Sequence, residues 1–213
     1  MKKIIMIFLL IVFPAFSGSM EDEAREAYNA GDYKKAIDIT KKACNDKIAR
    51  ACTGIGRAYE KGKMGLNIDY TEARHYYSQA CTAGDGSACK YIGNLYKKGK
   101  GVKIDNKKAY TFYKKARSLF MHDCHDENNA LSCFRLGDML RDGEGGRKNY
   151  FKANQLYKKA CDAKNPWGCS RLASSYYSGN GVRQDQNKAK ELHGQACDLG
   201  LELGCIMYKT LNE

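Results

Sequence analysis

The chain has 213 residues, with 36 Lys and Arg against 24 Asp and Glu, a formal net charge of +12. The basic residues lie in scattered pairs that read as solvated helix faces, and together they favour acidic partners such as anionic wall polymers or membrane surfaces. Ten cysteines without a C-x2-C cluster exclude an ordinary structural zinc site and point to disulfides in an oxidising compartment.

Lys2 and Lys3, the apolar run Ile4 to Phe13 and small residues at Ala15, Ser17 and Ser19 have the three-part form of a secretory signal peptide. The run is shorter than the roughly 20 residues of a spanning helix. Residues 1–19 are therefore read as a leader and 20–213 as the mature domain, with no stable membrane insertion. Export also removes nucleic acid from the expected partners.

The cysteines fall at 44 and 52, 81 and 89, 124 and 133, 161 and 169, 197 and 205. Four pairs are spaced by eight and one by nine, and that regularity selects sequential pairing: Cys44 with Cys52, Cys81 with Cys89, Cys124 with Cys133, Cys161 with Cys169, Cys197 with Cys205. First cysteines recur every 36 to 43 residues, a solenoid period. Met20 to Ala30 reads as an acidic first helix. Before each first cysteine, Ala36, Ala73, Ala109, Ala153 and Ala189 are followed three residues on by Ile39, Tyr76, Phe112, Leu156 and Leu192, and seven on by Ala43, Ala80, Ala116, Ala160 and Ala196. Those spacings define one helix face. Asp69, Asp105 and Asp185 stand where N-caps are wanted.

After each second cysteine, Ile55, Ile92, Leu136, Leu172 and Tyr208 come at three and Gly56, Gly93, Gly137, Ala173 and Lys209 at four. The small residues allow close helix approach; Lys209 marks a C-terminal capping helix. Gly62, Gly99, Gly143 and Gly179 end the helices. The turns GKGV and GNGV lack the strand and Lys-Ser or Lys-Thr of a phosphate loop. The chain is thus expected to be all-α, about five antiparallel helix pairs plus a capping helix. The third unit carries seven extra residues between Arg117 and Cys124, close to two helical turns, with Phe120 and Met121 expected to be partly exposed.

The segment ACKYIGNLYKKGKGVKIDNKKAYTFYKKA, Ala88 to Ala116, resembles the Sel1-like repeat, and the C-x7-C pairs resemble the Helicobacter cysteine-rich protein family. The resemblance implies a right-handed αα-superhelix related to tetratricopeptide (TPR) arrays, a disulfide within each C-x7-C unit, and export to periplasm or medium. It also implies contact with a host and slow hydrolysis of penicillin-type β-lactams.

Candidate chemistry is thin. One S-x-x-K run, Ser87 to Lys90, lacks the S-D-N and K-T-G partners of serine β-lactamases and contains a cysteine expected in a bridge. His122 to Glu127 holds metal-ligand residue types, but Cys124 is expected in a disulfide, so the run is read as the cap of a long helix. His75 and His193 are expected on the surface or in the groove, and Trp167, after Pro166 at a helix start, in packing. No metal and no cofactor are expected. The helix opened by each second cysteine is expected to line a concave groove. Arg57, Asn94, Asp138 and Ser174, five residues past each second cysteine, vary between repeats and are the groove candidates. The expected protein is a monomeric secreted or periplasmic scaffold taking a peptide, protein or peptidoglycan-derived ligand. The alternative is a weak β-lactamase.

Overall fold

The computed structural model describes residues 16–126 and 128–212. Among them are eleven helices: α1 Phe16–Asn29, α2 Tyr33–Asn45, α3 Ala49–Lys61, α4 Tyr70–Thr82, α5 Gly86–Lys98, α6 Asn106–His125, α7 Ala130–Asp142, α8 Tyr150–Asp162, α9 Pro166–Ser178, α10 Gln186–Asp198 and α11 Glu202–Thr210. They form a right-handed αα-superhelix in which α1 packs on α2, α3 on α4, α5 on α6, α7 on α8 and α9 on α10, with α11 closing on α10. The expected leader lies mostly outside the described residues, and α1 runs through its proposed boundary at residue 19. No described helix is long and apolar enough to cross a membrane.

The local chemistry explains the boundaries. Asp69 accepts from the backbone N–H groups of Thr71 and Glu72 at 2.8 and 3.0 Å, Asp105 from Lys108 at 2.8 Å and Asp185 from Lys188 at 2.9 Å. Each satisfies donors that a helix start leaves orphaned. At the other end, Gly99 and Gly179 close α5 and α9 with φ of 65° and 72°, where an L side chain would be strained.

All five sequential disulfides are formed, each tying the end of one helix pair to the start of the next, with Cα–Cα distances of 4.5 to 4.8 Å. The turn between the thiols passes through a left-handed residue in every unit. It is Lys47, Gly84, Asn128, Lys164 or Gly200.

The alanine columns are buried, with Ala36, Ala73 and Ala189 at 0% exposure. The core depends as much on a column four residues past those alanines, which the sequence reading did not use. Tyr77, Tyr113 and Tyr157 lie flat against Gly56, Gly93 and Gly137, where an added Cβ would stand 2.5 to 2.7 Å from the ring. Each hydroxyl donates to a half-buried acceptor on the partner helix: Tyr77 to Glu60 at 2.8 Å, Tyr113 to Asn94 at 2.6 Å and Tyr157 to Asp138 at 2.9 Å. In the fifth unit the corresponding pair is His193 and Ala173: the ring shrinks and the small residue gains its methyl.

Helix α6 is 20 residues long, against 13 for α5 and α7. The seven extra residues continue the helix, as expected. Phe120, however, is 2% exposed, because it fills the space beside Gly86 at the start of α5 under the Arg135 guanidinium, 5.8 Å from the ring centroid. Met121 faces out at 47%. The extension also shifts the stacking. Gly101 seats on Tyr70 and Gly181 on Tyr150, in each case the first residue of the preceding second helix. Gly145 seats instead on Tyr113 and Lys114, well inside α6. The unit α7–α8 is therefore docked seven residues, about 10 Å, further along α6. The turn from Gly99 to Asp105 and the first two turns of α6 stand out as a ledge.

Candidate binding surface

Helices α3, α5, α7 and α9 make one wall, laced across the repeats. Thr53 donates to Asp85 at 2.6 Å, Arg135 to Ser87, and Arg171 to Asp138 at 3.1 Å, while Arg57 sits 6.0 Å from the centre of the Tyr91 ring. The four groove candidates are spread one to a repeat on this wall and do not converge. Arg57 and Ser174 are exposed; Asn94 and Asp138 are half-buried. The last two hold the buried tyrosine hydroxyls, and Asp138 also accepts from Arg141 at 3.0 Å. Ser174 donates to its own helix, at the Ser170 carbonyl, 2.9 Å away. Burial first, then the Asp138 charge and hydrogen bond, push the Tyr157 hydroxyl far above its ordinary titration range, so it remains a donor. This column therefore works in large part inside the fold.

The sequence reading missed a second column, two residues before each second cysteine. Its last three members are Leu131, Trp167 and Leu203, each the second residue of its helix, α7, α9 and α11, and exposed at 41%, 46% and 47%. Trp167 was expected in packing. It faces solvent, as Leu131 and Leu203 do at the same helix position, although α9 alone of the three opens with a proline. The signal was present, since the column reads Arg50, Ser87, Leu131, Trp167, Leu203, polar at first and then apolar.

The remaining candidates are dispersed. Ser87 is buried and accepts from Arg135, while Lys90 pairs with Glu144 at 2.9 Å, so the two ends of the S-x-x-K run face different partners. His122 lies 3.7 Å from Asp123 and 3.5 Å from Asp126 at the exposed end of α6, and Cys124 is disulfide-bonded. His75 is exposed, contacts Gln79 at 2.9 Å, and borders a cavity of about 750 Å³ between α2 and α4, floored by the Cys44–Cys52 bridge. His193 departs from expectation. It is 1% exposed with both ring nitrogens unpartnered, because it occupies the tyrosine slot of its unit. Burial holds its pKa below the ordinary value.

The Sel1 repeat family matches residues 49–85, 86–119, 130–165 and 168–201. HcpE of Helicobacter pylori, whose name provisionally calls it a beta-lactamase, is 48% identical over 46 residues, covering 22% of this chain and 13% of HcpE. A Sel1 repeat protein from Oxalobacter formigenes is similar in structure, with a TM-score of 0.65 and 25% identity, covering 88% of this chain and 73% of that one. Helicobacter pylori cysteine rich protein B shares 28% identity over 66% of this chain and 95% of its own, with a TM-score of 0.40.

Proposed function

The chain belongs to the Sel1 repeat family, an interaction-scaffold fold, and from that premise we propose that it is an extracytoplasmic scaffold that binds an extended, partly apolar peptide segment along its first-helix wall. The observation that carries this reading is the stripe Leu131, Trp167 and Leu203. Three large apolar side chains are more than two-fifths exposed at one helix position in successive units. Solitary exposed apolar residues need no explanation, whereas a periodic row on a repeat array is what a peptide with apolar side chains would meet. Five disulfides and no free cysteine among the described residues support an oxidising compartment, periplasm or medium. Contact with a host protein or a peptidoglycan-derived stem peptide both fall within this class.

Trp167 is the sole tryptophan of the chain, so it reports on its own site. Peptides selected against the purified protein are expected to shift Trp167 fluorescence to the blue. Leu131→Ser should weaken them roughly tenfold, the scale of one desolvated apolar contact, with an unchanged melting temperature. Tight peptides that leave Trp167 emission untouched would sink the proposal.

A β-lactamase reading rests on the name of HcpE, matched over 13% of that protein. Turnover of nitrocefin well above background by the purified protein, abolished by Ser87→Ala, would favour it over the scaffold.

A further inference from the structure

The ledge at α6 carries a run of six lysines in twelve residues. Lys97, Lys98, Lys100, Lys103, Lys107 and Lys108 lie on the turn between α5 and α6 and its flanks, and all but the half-buried Lys100 are exposed. The single carboxylate in that stretch, Asp105, is engaged as the N-cap of α6, with the Lys108 ammonium 3.8 Å away. Lys108 also lies 5.4 Å from the centre of the Tyr96 ring and Lys100 5.1 Å from that of Tyr70, which holds both stems over the turn. Because the next unit docks about 10 Å further along α6, it does not cover this turn.

Between the turn and α4 is a crevice of about 390 Å³ lined by Arg74, Lys103 and Lys108, with Tyr96, Ile104 and Asp105. The Nε–H of Arg74 is enclosed and has no acceptor among the described residues. The equivalent position two units on shows what this residue does elsewhere. There Asn154, one residue past the regularly spaced alanine as Arg74 is, donates to the Asn180 carbonyl at 2.7 Å and fastens the following turn. Arg74 makes no such bond and keeps a charged donor in a desolvated place, which is costly unless a ligand accepts from it.

We propose that the crevice between α4 and the α5–α6 turn binds a phosphate group, with Arg74 donating from its planar fork and Lys103 and Lys108 supplying point charges. Arginine matches a tetrahedral oxyanion with two parallel donors, and the lysines complete charge neutralisation around it. The rim lysines Lys97, Lys98 and Lys107 suit a ligand whose phosphate is followed by further negative charge, a free phosphorylated molecule or a lipid headgroup. This site is on a different edge from the apolar stripe and stands independently of the peptide reading.

The test is an NMR titration of the Arg74 Nε–H resonance with sodium phosphate at constant ionic strength, chloride serving as the reference. The expected result is a saturable shift seen with phosphate alone. Arg74→Asn, which copies the residue at the equivalent position two units on and is expected to fold, should weaken phosphate binding roughly tenfold, followed by backbone resonances of the turn. Lys103→Ala should weaken it as well, while the exposed pair Lys114→Ala and Lys115→Ala should not. Co-sedimentation with phosphatidylcholine vesicles with and without phosphatidylglycerol separates the sources. Binding to the anionic vesicles that is lost in Arg74→Asn assigns a lipid headgroup. A phosphate shift without vesicle binding assigns a free phosphate compound. A phosphate response no different from chloride, or one equally reduced by Lys114→Ala and Lys115→Ala, overturns the site.

Discussion

Lys164 adopts φ of 59° in the turn of the fourth disulfide, where the second and fifth units place Gly84 and Gly200. An L side chain in that conformation costs about 1 kcal/mol. Lys164→Gly is therefore expected to raise stability by about that amount in a denaturant titration, against the usual penalty of introducing glycine; a loss would show that the lysine stem contributes more than the strain removes. The tyrosine column gives the opposite sign. Asp138→Ala leaves the buried Tyr157 hydroxyl and two guanidinium groups short of an acceptor and should cost about 2 kcal/mol, whereas Arg57→Ala, exposed on the same column, should stay within about 0.5 kcal/mol. Equal effects would return both residues to a common role. His193 adds a pH dependence. Burial lowers its folded pKa beneath the ordinary 6.5, so below that pH the unfolded chain takes up a proton that the folded chain refuses, and stability falls on acidification. His193→Tyr alone should clash with Ala173; joined to Ala173→Gly it recreates the pair of the other units, regains stability and removes that part of the acid sensitivity. A double variant as acid-sensitive as the parent would place the titration elsewhere.

At the scale of the helix, most of the design was legible because it is local. Alanines at seven-residue spacing, caps at Asp69, Asp105 and Asp185 and glycines at helix ends are each dictated by the chain's own turn geometry. The seven-residue surplus in α6 was also legible, since 700° of helical rotation returns Cys124 to within about 20° of its phase. What was not legible depends on the partner helix. Phe120 is buried because Gly86 of α5 leaves room, and Asn94 looks like a free variable position until Tyr113 reaches across to it. The column of Leu131, Trp167 and Leu203 was legible as a change from polar to apolar along the repeats, and was overlooked because a residue beside a helix-opening proline was assigned to packing. Trp167 shares its exposure with Leu131 and Leu203 at the same place in their helices. The phase argument makes a prediction. Deleting residues 117–123 should still allow the Cys124–Cys133 bridge, while deleting five of them rotates the thiol by about 140° and should leave two free thiols by mass mapping. Free thiols in the seven-residue deletion and none in the shorter one would refute it.

For the molecule as a whole, each bridge closes a short loop and restrains the unfolded chain by about 2 to 3 kcal/mol, and five together rival the roughly 5 to 15 kcal/mol of a typical domain. Reduced protein is therefore expected to lose most of its helical circular dichroism near body temperature, and an unchanged melting curve would mean that packing alone suffices. The displaced docking at α6 also gives the array a stair. Its turn edge lies on two treads separated by about 10 Å, one ending with the α5–α6 turn and the other beginning with the α7–α8 turn. A straight, stiff ligand can rest on one tread or the other but cannot touch both. The grip of this edge should stop strengthening once a rod-like ligand outgrows the upper tread, however many repeats follow.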